Sequence, residues 1–273
     1  MTLTIITINH NNASGLEKTL QSTAAQTCAE FEHIIIDGAS TDGSTDAVRR
    51  YAESLGDRVK WVSEPDKGIY DAMNKGIGMA SGEYVQFLNS GDCLASDDVT
   101  SRMYDALEKG GRPGILYGNL IKAMPDGSRK RDKGPEGKDM GFFDFFLGTI
   151  NHSSAYIRRS LFDKYGLYDV NLRIASDWKW FMQAILYGKE KPVYTDLDVV
   201  LFDMTGLSES NKELSSSERD KVLDGLIPAP VLDELRKWSP SIRMMRRIDR
   251  YPWARKMVWF LERCLFKYEK HKK

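Results

Sequence analysis

In this 273-residue chain, four apolar runs of the N-terminal part stop at a polar or acidic group: Asn9, Asp37, Asp66 and Asp92. These groups have distinct chemical uses. Asp37 can accept from the imide N–H of a uracil or from a ribose hydroxyl, and it can equally close an Asx turn with Gly38. Asp92 can bind a hard divalent cation that in turn holds a diphosphate, or serve as a turn carboxylate ahead of the next helix. Lys67 and Lys75 can meet phosphate charge, with Gly68 letting backbone come close at a helix start; as a lone pair on a surface they would be solvated. Asp42, within Ser40-Thr41-Asp42-Gly43, reads as a turn residue. Neither a Walker A pattern nor G-x-G-x-x-G occurs, which disfavours an ATPase or a dinucleotide-binding enzyme.

The elements that must hold these groups are legible as an alternation. Leu3–Ile8, His33–Asp37, Val59–Val62, Tyr84–Leu88 and Ile115–Gly118 read as strands. Between them lie helical patterns. One is Gly15–Ala25, with Ser14 as cap and Glu17 closing a capping box. Another starts at Ser44 or Thr45 and runs to about Leu55. Gly68–Ala80 is a third, and a helix capped by Ser96 and running through Glu108 is a fourth. Such βαβ units imply an α/β fold with a mainly parallel sheet flanked by helices. Ligands of such sheets bind beyond the carboxyl ends of the strands, where all four groups fall. After Asn119 the rhythm changes. A turn at 124–128 predicts a hairpin, and a basic run Arg129–Lys133 precedes an aromatic run Phe142–Phe146. Ser176 or Asp177 caps a helix to Tyr187, Val193–Phe202 reads as a strand pair or an extended segment, Ser208–Ser217 is polar, and the remainder is a basic helical extension.

Composition sets the limits. The chain is 41% hydrophobic and 29% charged, ordinary for a protein with a sizeable core. No apolar run approaches the roughly 20 residues that span a bilayer. The first residues lack the basic region of a signal peptide. Cys28, Cys93 and Cys264 are far apart and not in CxxC spacing, which points to a reducing cytoplasm rather than a disulfide framework. Residues 240–273 hold 11 Lys and Arg against 3 Asp and Glu, while the rest of the chain holds 28 against 36. That asymmetry suggests an anionic partner for the tail.

With these residues in view, the chain resembles the family 2 glycosyltransferases of GT-A fold, most closely the bacterial exopolysaccharide branch that includes the colanic acid transferases. The matching segments are 5–9, 36–44, 64–75 and 87–92, then His152-Ser153-Ser154, Ala175-Ser176-Asp177-Trp178 and Gly206-Leu207-Ser208. The resemblance covers roughly residues 1–210. It implies a Rossmann-like domain with a nucleotide-sugar-binding half over 1–118 and an acceptor-binding half over 119–210, followed by the helical extension 211–273. It also implies an inverting, hexosyltransferase-type enzyme in bacterial surface polysaccharide assembly.

Residue by residue, the resemblance assigns Asp37 to the nucleotide base, and Thr7, Asn9 and Asp66 to the base and ribose pocket. Lys67, Lys75, Asn89, Ser90 and Gly91 join the donor site. Asp92 would bind Mn2+ or Mg2+ together with the donor diphosphate. Asp177 would be the general base, although it can also be read as a helix N-cap. His152 and Ser208 would face the acceptor or the diphosphate, and His152 also admits a buried structural role. The chain departs from the family at two points. The acidic cluster before the metal aspartate is Asn89-Ser90-Gly91, leaving Asp92 as its only carboxylate, and Ser176 stands where the family has Glu. A UDP-sugar is the favoured donor, and a glycan or polyprenyl-diphosphate-linked saccharide the acceptor. The alternative is a non-catalytic nucleotide-sugar-binding subunit of the same fold. A nucleotidyltransferase is disfavoured, because Asn9-His10-Asn11-Asn12 is not the glycine-rich basic loop it needs after its first strand.

In the tail, Trp253, Met257, Phe260, Leu261, Cys264, Leu265 and Tyr268 recur on one helix face, with Arg255, Lys256, Arg263, Lys267 and Lys270 mostly elsewhere. Such a helix can lie in an anionic membrane interface or pack on protein, including a second subunit. The expectation is therefore a cytoplasmic protein, peripheral on the inner face of the plasma membrane, with a homo-oligomer admitted and no nucleic-acid partner.

Overall fold

The structure, a computed structural model, describes residues 2–124, 126–134, 140–204, 211–249 and 251–271. The chain divides into two units, Met1–Arg219 and Asp220–Lys273. In the first, β1 (Leu3–Asn9), β2 (Phe31–Asp37), β3 (Val59–Ser63) and β4 (Tyr84–Phe87) alternate with α1 (Ala13–Ala24), α2 (Ser44–Leu55) and α3 (Ile69–Met79). Then come β5 (Cys93–Leu94), α4 (Val99–Lys109), β6 (Ile115–Ala123), β7 (Arg129–Asp132), α5 (Phe142–Leu147), β8 (Ala155–Arg158), α6 (Ser160–Tyr165), α7 (Ser176–Met182), β9 (Val193–Asp203) and α8 (Lys212–Leu226). The boundary between the units falls within α8, after Arg219; the second unit holds the rest of that helix with α9 (Ala229–Asp249) and α10 (Pro252–His271).

The strands form one mixed sheet in the order β3-β2-β1-β4-β8-β6-β9-β5, with β7 hairpinned onto β6. β1 pairs in parallel with β2 and β4, β2 with β3, and β6 with β9; β8 runs antiparallel to both β4 and β6. β1 and β2 are buried along their whole length, as strands covered on both faces must be, and their β-branched runs suit that place. On one face Leu16 and Leu20 of α1 and Val48 and Tyr51 of α2 pack on Ile35. Met103 and Leu107 of α4 join a cluster with Leu3, Tyr84, Leu116 and Val199. On the other face α3 comes so close that a Cβ on Gly76 would stand 2.4 Å from Ile6 Cγ2.

Two consequences of register matter for function. Asn9 stands level with Asp37, and Asp37 with Ser63, so three polar groups form a row along the carboxyl edge. Because β8 is antiparallel to β4, its amino end, with the turn His152–Ser154 before it, lies at the carboxyl end of β4.

The helix starts differ from the sequence expectation. α1 is capped by Asn12, whose side chain accepts from Gly15 N at 3.2 Å, and not by Ser14. Asn12 precedes the first helical residue and has the non-helical backbone, φ −136° and ψ 58°, that a cap needs. α2 has Gly43 before it, and Asp42 takes Ser44 N and Oγ. Neither Ser176 nor Asp177 caps α7; both lie inside its first turn. That helix gives way to a π-helical turn at Gln183–Tyr187.

Candidate functional site

The polar row is closed by its own hydrogen bonds. Asp37 accepts from Asn9 Nδ2 at 2.8 Å, Ser40 Oγ at 2.6 Å, Ser40 N at 2.9 Å and Ser63 Oγ at 2.6 Å. Burial pushes its pKa up, but these bonds outweigh it and hold the carboxyl below the usual range. Asn9 Oδ1 is buried with no hydrogen-bond partner among the described residues. Thr7, expected beside Asn9, lies one pleat deeper on the same face and is fully buried. Its hydroxyl donates to Leu88 O at 2.7 Å and lies 2.8 Å from His33 Nε2. The structure thus holds Thr7 in the interior, behind the row and away from the strand ends.

Beyond β3, Asp66 and Lys75 form an ion pair at 2.6 Å, with Glu64 at 2.9 Å and Pro65 O at 3.1 Å from the same ammonium. The hydrogen bonds that Lys75 donates to Asp66 and Glu64 push its pKa up, so its charge is satisfied locally. Lys67 is exposed, and its backbone N–H donates to Asp71 Oδ2 at 3.0 Å. Gly68, between them, has φ 131° and ψ 177°, a conformation essentially reserved for glycine.

The segment Asn89–Asp92 turns sharply after β4. Asn12 Nδ2 reaches Ser90 O at 3.2 Å and Ser90 Oγ at 3.3 Å. Thr19 Oγ1 accepts from Gly91 N at 3.0 Å and donates to Asp92 O at 2.7 Å. Asp92 is only 4% exposed, and burial pushes its pKa up to about 7. It accepts from Ser153 Oγ at 3.2 Å and from Asp203 N at 3.0 Å. The Asp203 carboxylate lies beside the turn: a Cβ on Gly91, whose φ is +106°, would stand 3.0 Å from Asp203 Oδ2. Asp92 therefore has a neighbouring carboxylate after all, contributed by the end of β9.

On the other side of this turn stands Asp177. One of its oxygens lies 3.0 Å from His152 Nδ1, and the other accepts from Tyr70 Oη at 2.9 Å. Burial raises the Asp177 pKa, but the bonds from His152 and Tyr70 outweigh it, and the carboxyl stays below its usual range. His152 Nε2 is 3.5 Å from Asn89 Nδ2, at the outer limit of a hydrogen bond. A single imidazole thus stands between Asp177 and the Asn89–Asp92 turn. α7 itself is anchored by Trp178, which donates to Phe145 O at 2.8 Å, and by Trp180, which stacks on Phe162 at 4.5 Å.

Sequence reasoning missed Asp203, Tyr70 and Glu218. Glu218, in α8, is buried and accepts from Arg173 N at 2.7 Å, Ile174 N at 2.9 Å and Ala175 N at 3.0 Å. These are the three residues that lead into α7. The next residue, Arg219, lies over the Trp178 ring at 5.1 Å. Nothing local marks such residues, because each acts on a segment distant in sequence. Ser208, with the motif 206–208, lies outside the described residues.

A hard cation asks for oxygen ligands. The turn offers the Asp92 carboxylate, the nearby Asp203 carboxylate and Asn89 Oδ1, which is buried without a partner among the described residues. No group of three His, Cys, Asp or Glu that could hold an ion by itself occurs among the described residues. These are oxygen donors of the kind a hard divalent cation takes, and further oxygens would have to complete its shell.

The family model described as Glycosyl transferase family 2 matches residues 4–166. An uncharacterized glycosyltransferase of Mycobacterium tuberculosis, Rv1514c, is 34% identical over 216 residues, 79% of each chain. Among solved structures, S. aureus TarS 1-349 in complex with UDP superposes with a TM-score of 0.63 at 19% identity, over 78% of this chain and 63% of that one. Mannosyltransferase PcManGT from Pyrobaculum calidifontis, in complex with GDP-Man and Mn2+, gives 0.57 at 20% identity, over 73% of this chain and 56% of that one. The chain thus spans less than two thirds of the length of either structure, and the two likenesses establish the fold as GT-A-like.

Proposed function

The chain belongs to glycosyltransferase family 2, and from that premise we propose that it transfers a sugar, with inversion, from a UDP-sugar to a hydroxyl of a glycan or a polyprenyl-diphosphate-linked saccharide. The observation that carries this reading is the single imidazole of His152 between Asp177 and the Asn89–Asp92 turn. It puts a carboxylate held below its usual pKa range on one side and, on the other, the turn that in this reading would meet the diphosphate.

In the proposed reaction the acceptor oxygen bonds to the anomeric carbon while the bond to the diphosphate oxygen breaks. The acceptor proton passes to Asp177, and the pair of electrons leaves with the nucleoside diphosphate. Asp177 suits the role because its depressed pKa keeps it unprotonated, and Tyr70 and His152 fix both its oxygens in place. Asp37 and Asn9 would meet the base and Asp66 the ribose. Asp92, with Asp203 and Asn89, would hold a divalent cation, which when bound offsets the negative charge growing on the diphosphate. The work would belong to surface polysaccharide assembly at the cytoplasmic side of a bacterial membrane.

The alternative, a non-catalytic nucleotide-sugar-binding subunit, drew on an isolated Asp92. Asp203 beside it removes that motive. The test starts with the melting temperature of the purified chain in UDP- and GDP-sugars, with and without Mn2+. A stabilising donor is then offered with saccharide acceptors, and product linkage is read by NMR. We expect stabilisation by a UDP-sugar and a product of inverted configuration. No response to any nucleotide sugar, or a retained configuration, would overturn the reading.

A further inference from the structure

Helix α10 displays a row of large apolar side chains that stand exposed. Trp253 is 65% exposed and Phe260 66%, and Met257, Leu261 and Tyr268 are exposed as well. At about 100° per residue these five fall within about 100° of the helix circumference. Lys256, Arg263 and Lys270 form a second row along one border of that arc, all exposed. Beyond them Trp259 and Phe266, both exposed, carry basic heads: Arg263 lies over the Trp259 ring at 4.9 Å and Lys270 Nζ over the Phe266 ring at 5.2 Å. The end of α9 adds Arg243, Arg246 and Arg247.

From this arrangement we propose that α10 docks on the surface of an anionic lipid bilayer, lying in the plane of the headgroups with its aromatic row toward the acyl chains. The chemistry matches on both counts. Aromatic and thioether side chains take favourably to the interface, while long basic side chains reach back to lipid phosphates. No helix among the described residues is long and apolar enough to cross a membrane, so the helix lies on the bilayer. Charge favours anionic lipid over pairing of two such tails: the segment 240–273 carries 11 basic against 3 acidic residues, and tail-to-tail pairing would set two such excesses against each other.

The proposal stands independently of sugar transfer, since its readout is binding without donor or acceptor. Full-length protein is sedimented with vesicles of phosphatidylcholine alone or mixed with phosphatidylglycerol. Binding at least tenfold tighter to the mixed vesicles, weakened by 0.5 M salt, is expected. The variant Trp253→Ser/Met257→Ser/Phe260→Ser/Leu261→Ser, and separately Lys256→Glu/Arg263→Glu/Lys270→Glu, should each lose at least tenfold in binding. Both sets change exposed side chains, and the melting temperature checks that the protein is folded. Equal binding by wild type and either variant, or by both vesicle types, would overturn the proposal. So would a concentration-dependent dimer in sedimentation velocity that the apolar variant abolishes while vesicles leave the wild type in the supernatant.

Discussion

His152 Nδ1 and Asp177 face each other across 3.0 Å, and the second oxygen of that aspartate is taken by the Tyr70 hydroxyl. With Nδ1 as the donor, Nε2 carries a lone pair toward Asn89. The pair links an acidic group on α7 to the turn after β4, two parts of the chain that share no local sequence.

If Asp177 receives the acceptor proton, Asp177→Asn should keep donor binding and lose about 10²- to 10⁴-fold in kcat. His152→Asn should lose less, because it disturbs the orientation of the base without removing it. Steady-state kinetics alongside donor-induced thermal shifts checks both, and near-normal turnover by Asp177→Asn would exclude it as the base.

Asp203 and Asp92 should share the handling of a divalent ion. Asp203→Asn is expected to raise the Mn2+ concentration for half-maximal activity by about 10- to 100-fold, the usual effect of weakening a metal's immediate surroundings. Asp92→Asn should abolish the Mn2+ response. Isothermal titration of Mn2+ in the presence of UDP measures this without turnover, and identical titrations for wild type and Asp203→Asn would rule out its participation.

Glu218 receives three backbone N–H groups from residues 173–175. Glu218→Gln keeps the shape but loses the charge and part of the acceptor capacity, at a cost of about 2 kcal/mol. The expected signature is a reduced kcat with unchanged donor affinity, since the hydrogen bonds of Glu218 go to the residues leading into α7 and not to the row at Asn9 and Asp37. Equal losses of kcat and donor binding would indicate general loosening instead.

Acid should destabilise the fold in two overlapping windows. Burial lowers the His33 pKa from 6.5 to about 3, so between those values the unfolded chain takes a proton that the folded chain refuses. Glu32 is buried too, but bonds from Thr4, Ser81 and Lys60 outweigh that and bring it to about 2. Its contribution is complete above about 4.5 and fades as pH falls toward 2. Between pH 6.5 and 4.5 the His33 effect amounts to about 2 to 3 kcal/mol. Denaturant melts at stepped pH should show His33→Gln losing much less than wild type over that interval.

Much of the fold was open to inspection in the sequence, because β-branched runs alternating with amphipathic stretches leave few arrangements. The carboxyl edge with Asn9, Asp37 and Asp92 followed from it. Depth did not: Thr7 and Asn9 share a face and are both buried, but Thr7 is engaged with Leu88 O and His33 while Asn9 reaches Asp37 and Ser40. The cap of α1 went to Asn12 over Ser14 because the turn brings Asn12 near Ser90 as well as Gly15. Asp203, Tyr70 and Glu218 were invisible for a related reason. Each meets its partner across a long stretch of chain, and pairing at that distance is decided by the order of strands and helices rather than by spacing.

Asp92 receives the backbone N–H of Asp203, and β9, which ends there, lies between β6 and β5. This has a bearing on how the protein is born. A ribosome that has released only the first half of the chain presents the turn at Asn89–Asp92 without its second carboxylate. The hydrogen bond from Asp203 N to Asp92 therefore forms late in synthesis, after β9 has slotted between its neighbours. On the proposed reading, such an unfinished chain has the row at Asn9 and Asp37 but lacks the Asp203 carboxylate beside Asp92.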